Sequence, residues 1–137
     1  MTTTSNPLFA NIRVVELASM ILAPSAAVIL ADYGAEVIKI EPPKTGDLNR
    51  HWHKINGLPI SDMAYGFQVD NRNKKSVVLD LKTPAAYEAL CRIIREADVL
   101  ITNYRLKALD KLKLDYETIR ALNPRIIYAL ATGFGEE

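Results

Sequence analysis

Lys82, Arg105, Lys107 and Lys111 are the side chains whose type and spacing point most directly to chemistry. All four fall at or just after the ends of predicted strands, on one side of a predicted sheet. Singly, each lysine reads as a solvated surface charge, the usual fate of that residue. As a set they read as a cradle for an anion. The strand-to-helix turn Met20–Pro24 adds backbone N–H groups of the kind that receive anions. Tyr104 either stacks on a flat ligand or plugs the edge of the sheet.

Other candidates carry less. His51-Trp52-His53 tempts a metal reading, but two histidines with no nearby cysteine or paired carboxylate read as loop residues. Cys91 falls on the apolar face of a predicted helix and reads as a buried, inert thiol. Asp80 alternates with Leu79 and Leu81, so it points away from the core and serves structure. Arg72-Asn73-Lys74-Lys75 either reaches a phosphate or is a solvated turn. Gly133 and Gly135 either form a mobile turn near a reacting group or end a strand.

The elements that position these residues alternate between short apolar runs and helical patterns, the signature of parallel strands joined by crossover helices. Strands are expected at 13–18, 36–41, 76–81, 98–102 and 125–131. Between the first two, a helix of small residues has Pro24 in its first turn and Gly34 at its end. Pro42-Pro43 stops the second strand. Residues 42–66, with Pro43, Gly46, Gly57 and Pro59, read as a long excursion of the kind that is functional or covers another subunit. Thr83-Pro84 starts a helix over 85–96, with Tyr87, Leu90, Ile93 and Ile94 on one face. Shorter helices follow at 106–112 and 116–122, the latter stopped by Asn123-Pro124. The result is an α/β open sheet, and such sheets bind ligands beyond the carboxyl ends of their strands. The run Thr132-Gly133-Phe134-Gly135, followed by Glu136-Glu137, looks like an interrupted strand-to-helix turn.

Composition bounds the partners. At 137 residues the chain fits one domain, with 49% hydrophobic and 24% charged residues. Seventeen basic against sixteen acidic residues give a net charge of +1, without the basic excess of a nucleic-acid binder. Any anionic ligand is therefore held by a local cluster. The single cysteine forms no internal disulfide and suits a reducing compartment. Residues 1–9 lack the pattern of a secretory signal, and no apolar stretch has the length of a membrane span. A cytoplasmic location is the expectation.

Four stretches together resemble the family III CoA-transferases, the formyl-CoA, carnitine and 2-hydroxyacyl transferase group. They are Leu30-Ala31-Asp32-Tyr33-Gly34-Ala35-Glu36-Val37-Ile38-Lys39-Ile40-Glu41, with Gly46-Asp47 and Arg50 after it; Asn73-Lys74-Lys75-Ser76 leading to Leu79-Asp80-Leu81-Lys82; Ala97-Asp98-Val99-Leu100-Ile101-Thr102-Asn103-Tyr104; and Leu114-Asp115-Tyr116 through Asn123-Pro124-Arg125-Ile126-Ile127-Tyr128 to Gly133-Phe134-Gly135. In order and at matching separations, they cover nearly the whole chain. Thr102–Leu109, with Ala23-Pro24 for the usual Gly-Pro, looks most like the 2-hydroxyacid branch (phenyllactate and 2-hydroxyisocaproate CoA-transferases).

The resemblance implies a Rossmann-like, mostly parallel sheet with crossover helices, residues 1–137 being the N-terminal CoA-binding segment of a larger domain. It implies an interlaced homodimer and transfer of CoA from an acyl-CoA donor to a carboxylic acid. A catalytic aspartate would form a mixed anhydride and then an aspartyl-CoA thioester. That aspartate is expected downstream of Glu137, so no catalytic residue is assigned here, and these residues alone are expected to be catalytically silent. For CoA, the resemblance implies contacts from Met20 and Ile21 in the first loop, from Leu79 to Lys82, and from Asn103, Tyr104 and Arg105. Lys111 takes a position usually held by a phosphate-binding arginine, and would act as a point charge rather than a fork. Pro42 stands where some relatives set an arginine against the adenine. CoA carries an adenine, a 3′-phosphate and a pyrophosphate, which suits several cations beside a flat slot. No metal is implied.

Two rivals are weaker. A dinucleotide-binding module of an oxidoreductase needs a Gly-x-Gly-x-x-Gly turn after the first strand, and Ser19–Pro24 has no glycine. Glu41, however, does mimic its ribose-binding acid. A non-catalytic partner-binding module of the receiver type wants an acidic cluster at the first strand end, where only Glu16 stands, inside the strand.

Overall fold

Alternation along the strands sets the two layers of the core. In a computed structural model that describes residues 7–54, 57 and 61–135, β1 (Arg13–Leu17) sends Val15 and Leu17 to one face and Val14 and Ala18 to the other. Pro59, the first six residues and Glu136-Glu137, which figured in the expectations above, lie outside the described residues. The further strands are β2 (Glu36–Glu41), β3 (Lys75–Val78), β4 (Val99–Thr102) and β5 (Ile127–Leu130). They form a sheet in the order β3-β2-β1-β4-β5, every pairing parallel. The expected α/β open sheet is borne out, and it is wholly parallel.

Each face is covered according to its residue sizes. On one, α1 (Leu22–Asp32) lays Ala23, Ala27 and Ala31 against Val14 and Val37; the small side chains permit a close approach. On the other, α3 (Pro84–Arg95) contributes Leu90 and Ile94. The helices α4 (Leu106–Leu112) and α5 (Tyr116–Leu122) add Leu109 and Ile119 around Leu17 and Leu100. Pro84 opens α3 at a position where its missing N–H is harmless, and Arg92 and Arg95 favour the negative end of the helix dipole. The Asp115 carboxylate accepts the Thr118 N–H at 2.9 Å and so starts α5.

Two expectations need correction. The third strand ends at Val78 rather than 81: Leu79 N–H still donates to Glu41 O, but Pro42 and Pro43 have no N–H to continue the ladder. The long excursion is also less irregular than expected. It carries a 3-10 helix (Leu48–Lys54) and a short helix α2 (Tyr65–Asn71) packed on α1. Its sequence, with Gly66 inside and no proline or side-chain cap at its start, gave no helical signal; its fit against α1 supplies what propensity lacks.

Candidate functional site

In the order β3-β2-β1-β4-β5, chain direction reverses its march between β1 and β4, which is where an open parallel sheet offers a crevice at its carboxyl edge. Three contiguous clefts run along that edge. The first, of about 160 Å³, brings together Pro42, Leu79, Lys82 and Tyr104, four of the residues singled out from sequence. It shares Leu81, Lys82 and Leu112 with a second cleft, of about 410 Å³, which adds Lys111 together with Tyr87 and Lys113. It shares Pro42, Glu41 and Tyr104 with a third, of about 140 Å³, which reaches Ser19 and Asp47. Lys82 and Lys111 thus face one groove with an apolar floor and a tyrosine.

Other predicted residues lie apart from the groove. Met20 and Ile21 are exposed on the turn beside it, and Arg105 and Lys107 are exposed but line none of these clefts. Arg105 caps α4, its carbonyl accepting the N–H groups of Ala108 and Leu109. Asn103 points its amide across the crevice: Ser19 N–H donates to Oδ1 at 3.1 Å, and Nδ2 donates to Ser19 O at 2.7 Å. The N–H of Met20 donates to Asp47 Oδ1 at 3.3 Å. The anion-binding N–H groups expected at Met20–Pro24 are therefore confined to the first turn of α1, where the helix itself leaves them unpaired. Lys113 and Tyr87 were missed. The pattern Lys111-Leu112-Lys113 carried the signal, since the left-handed residue that ends α4 brings Lys113 back to the groove.

Beneath the groove lies a set of buried charges. Lys39 and Glu16, neighbours on β2 and β1, are almost wholly inaccessible, and Lys39 Nζ donates to Glu16 Oε1 at 2.5 Å and to Ala18 O at 2.9 Å. It also lies 2.6 Å from Asp47 Oδ2. Lys74 Nζ lies 2.6 Å from Glu16 Oε2 and donates to Asp70 O, Pro24 O and Asn71 Oδ1. The Lys39–Asp47 and Lys74–Glu16 contacts are close ion pairs that give the buried Asp47 Oδ2 and Glu16 Oε2 their cationic partners. Two carboxylates against two ammonium groups leave this quartet neutral. Burial lowers the Lys74 pKa, and Glu16 opposes the shift. Within Arg72–Lys75, Arg72, Asn73 and Lys75 are exposed, as a solvated turn requires, and Lys75 pairs with Glu36 at 2.5 Å, whereas Lys74 is an internal ion.

Glu41, at the end of β2, is equally committed. Arg50 grips it with Nε and Nη2, both at 2.7 Å; Ser76 Oγ donates at 2.6 Å and Asp47 N–H at 2.8 Å. The Arg50 guanidinium also lies over the Phe67 ring, 3.7 Å from its centre. Gly46 makes the turn between them, at φ +61°, and a Cβ there would stand 2.8 Å from Glu41 Oε2. Nothing in Glu41 remains to hold a ribose, which removes the feature that favoured a dinucleotide module.

Burial alone would raise the Glu41 pKa, but Arg50, Ser76 and the Asp47 N–H bring it down to about 2. Its folded value lies below the unfolded one, so its contribution is present above about pH 4.5 and is lost as pH falls toward 2. Acid titration followed by circular dichroism is expected to show a loss of about 2 kcal/mol in that window that Glu41→Gln abolishes, the figure being reduced for solvent around Arg50. An unchanged acid profile in the variant contradicts the assignment.

No group of three or more histidine, cysteine, aspartate or glutamate side chains among the described residues could hold a metal ion. His51 Nε2 lies 2.9 Å from Thr45 O. Burial pushes the Tyr104 hydroxyl above its usual pKa, with Asp47 and Glu16 adding to the shift, so it remains a protonated donor beside the groove. Among the described residues no helix is long and apolar enough to cross a membrane.

A wholly parallel sheet with a lysine-lined, apolar-floored groove at its carboxyl edge defines the class as an open α/β protein. The chain belongs to CoA-transferase family III, whose model matches residues 9–137. It is 44% identical over 137 residues to a succinate–glutarate CoA-transferase of Agrobacterium fabrum, covering 95% of this chain and 33% of that protein. It is also 44% identical to a cinnamoyl-CoA:phenyllactate CoA-transferase of Clostridium sporogenes, covering 95% of this chain and 32% of that one. A crystal structure of a CaiB/BaiF family protein from Brucella suis matches with a TM-score of 0.87 and 40% identity, over 97% of this chain and 35% of that one. The chain spans about a third of the length of the curated relatives it matches.

Proposed function

We propose that this chain is the CoA-binding segment of an enzyme that moves CoA from an acyl-CoA thioester to a carboxylic acid. The observation that carries the reading is the shared groove of Pro42, Leu79, Lys82, Tyr104 and Lys111. Lys82 and Lys111, with Lys113 lining the same cleft, meet the phosphates of CoA as point charges. Tyr104 and Pro42 offer the flat apolar wall that an adenine needs. Arg105, Met20 and Ile21 lie outside the clefts and contact the ligand once it extends past them, whereas Asn103 serves through the Ser19 backbone. The carboxylate nucleophile comes from outside these residues, and the whole enzyme works as an interlaced homodimer. Exposed Val78 and Ile127, on the edge strands, are available for burial in such an assembly. A reducing, cytoplasmic setting suits the buried, unpaired Cys91.

For the acceptor we propose a 2-hydroxy acid, on the pattern of Thr102–Leu109 and the phenyllactate relative. A dicarboxylic acid is the second reading, supported by the succinate–glutarate relative at the same identity. Thioester exchange by the full reading frame that encodes these residues decides between them. Aryl and alkyl 2-hydroxy acids are offered against succinate and glutarate, with acyl-CoA products followed by mass spectrometry. Preferred turnover of 2-hydroxy acids is expected. Faster turnover of the dicarboxylates selects the second reading, and no exchange with any acid overturns both.

A further inference from the structure

The turn between β1 and α1 is held by other parts of the chain to an unusual degree. Three consecutive carbonyls accept side-chain hydrogen bonds: Ala18 from Lys39 at 2.9 Å, Ser19 from Asn103 at 2.7 Å and Met20 from Asn49 at 3.3 Å. Two consecutive N–H groups donate to side chains, Ser19 to Asn103 and Met20 to Asp47. Five adjacent backbone groups are therefore gripped by four side chains from three separate segments.

The grip has a backbone conformation to maintain. Met20 sits at φ +72°, in the left-handed region that an L side chain enters at a cost of about 1–2 kcal/mol. A free turn of this sequence would leave that conformation. The clamp is itself anchored in the interior: Asp47 is 2% exposed and held by Lys39, and Asp47 Oδ1 also accepts the Asn49 N–H at 2.9 Å. Asn49 is 1% exposed, donates to Asp70 Oδ2 at 3.2 Å and presses its Oδ1 on Gly66, where a Cβ would lie 2.5 Å away. Ser25 Oγ donates to the other oxygen of Asp70, which ties α1 to the same assembly.

We infer that Asp47, Asn49 and Asn103 are positioning residues, which fix the Ser19–Met20 turn in its left-handed form before any ligand arrives. Ser19 lines the cleft that continues into the groove, so the clamp sets the shape of the wall against which the ligand rests. This role rests on the CoA reading given above. It deepens that reading by placing part of the affinity in the hold on the loop, including that of Asn49 from outside the clefts, through preorganisation.

Asn49 lines none of the three clefts, which makes it the sharper probe. Amide hydrogen exchange on the ligand-free chain is expected to show Ser19 and Met20 protected at least tenfold over an open loop. Asn49→Ala removes the donor to Met20 O and is expected, by loosening the turn, to speed exchange of the Met20 N–H that Asp47 accepts. Asn103→Ala is expected to release the Ser19 N–H, with the amides of Leu90 and Ile94 unchanged in both variants. Each variant is expected to weaken CoA binding by about tenfold in calorimetry. Should Asn49→Ala fail to fold, Asn103→Asp keeps the test, since it retains the acceptor for Ser19 N–H and loses the donor to Ser19 O. Open-loop exchange at Ser19 and Met20 in the parent chain overturns the clamp. Unaltered CoA affinity in the variants overturns the positioning role. A parent chain with both amides protected but no affinity for CoA overturns the ligand reading and, with it, the role assigned to the clamp.

Discussion

Lys39→Met is expected to lower the unfolding free energy by about 3–5 kcal/mol, a large share of the roughly 5–15 kcal/mol that a domain usually has. Methionine matches the lysine stem in length but supplies no charge. Glu16 Oε1 and Asp47 Oδ2 would then remain in a site 2% exposed or less, with no cation at 2.5–2.6 Å. Lys74 can still balance Glu16, but among the described residues Lys39 is the cation that pairs directly with Asp47. Urea unfolding followed by circular dichroism measures the change. A loss below about 1 kcal/mol would mean that water already reaches the quartet and that its ions behave as surface pairs do. Replacing Glu16 and Lys39 together by apolar residues is expected to cost less than Lys39→Met alone, because no partner is then left buried and uncompensated.

The second large effect concerns the ligand. Lys82→Glu combined with Lys111→Glu is expected to weaken CoA binding by 100-fold or more, because two cationic contacts of about 1.5–3 kcal/mol each become repulsive. Both side chains are exposed and neither forms an ion pair among the described residues, so stability should change by less than about 0.5 kcal/mol. The two effects separate cleanly: Lys39→Met acts on the fold, and the double reversal acts on affinity. If the doubly reversed chain binds CoA within about threefold of the parent, the phosphates lie elsewhere, since so small a change is under 1 kcal/mol.

Much of the frame was legible because local signals agreed. Pro24 and Gly34 bracket α1, Thr83-Pro84 opens α3, and Asn123-Pro124 stops α5, so these three helices were announced by their ends. The strands announced themselves as apolar runs, and their carboxyl ends located the groove. The buried quartet was not read, though its signal was present. Glu16, Lys39 and Glu41 occupy alternate positions with Val14, Val37 and Ala18 on one face of strands that a parallel sheet buries on both sides. A charge inside such a strand must find an internal partner. The identity of that partner is a matter of tertiary contact: Asp47 and Lys74 come from the excursion between β2 and β3, and nothing local fixes where that excursion returns. For the same reason the bonds of the Asn103 amide to the Ser19 turn were not legible in the sequence.

The groove stands or falls on its preference for a 3′-phosphorylated CoA over other adenine nucleotides. Calorimetric titration of the folded chain with CoA, with dephospho-CoA and with NADH measures that preference directly. Binding of CoA, at least fivefold weaker binding of dephospho-CoA and negligible binding of NADH are the predicted results, the middle figure corresponding to about 1 kcal/mol from the missing phosphate. NADH bound as tightly as CoA, or dephospho-CoA bound equally well, would contradict the account.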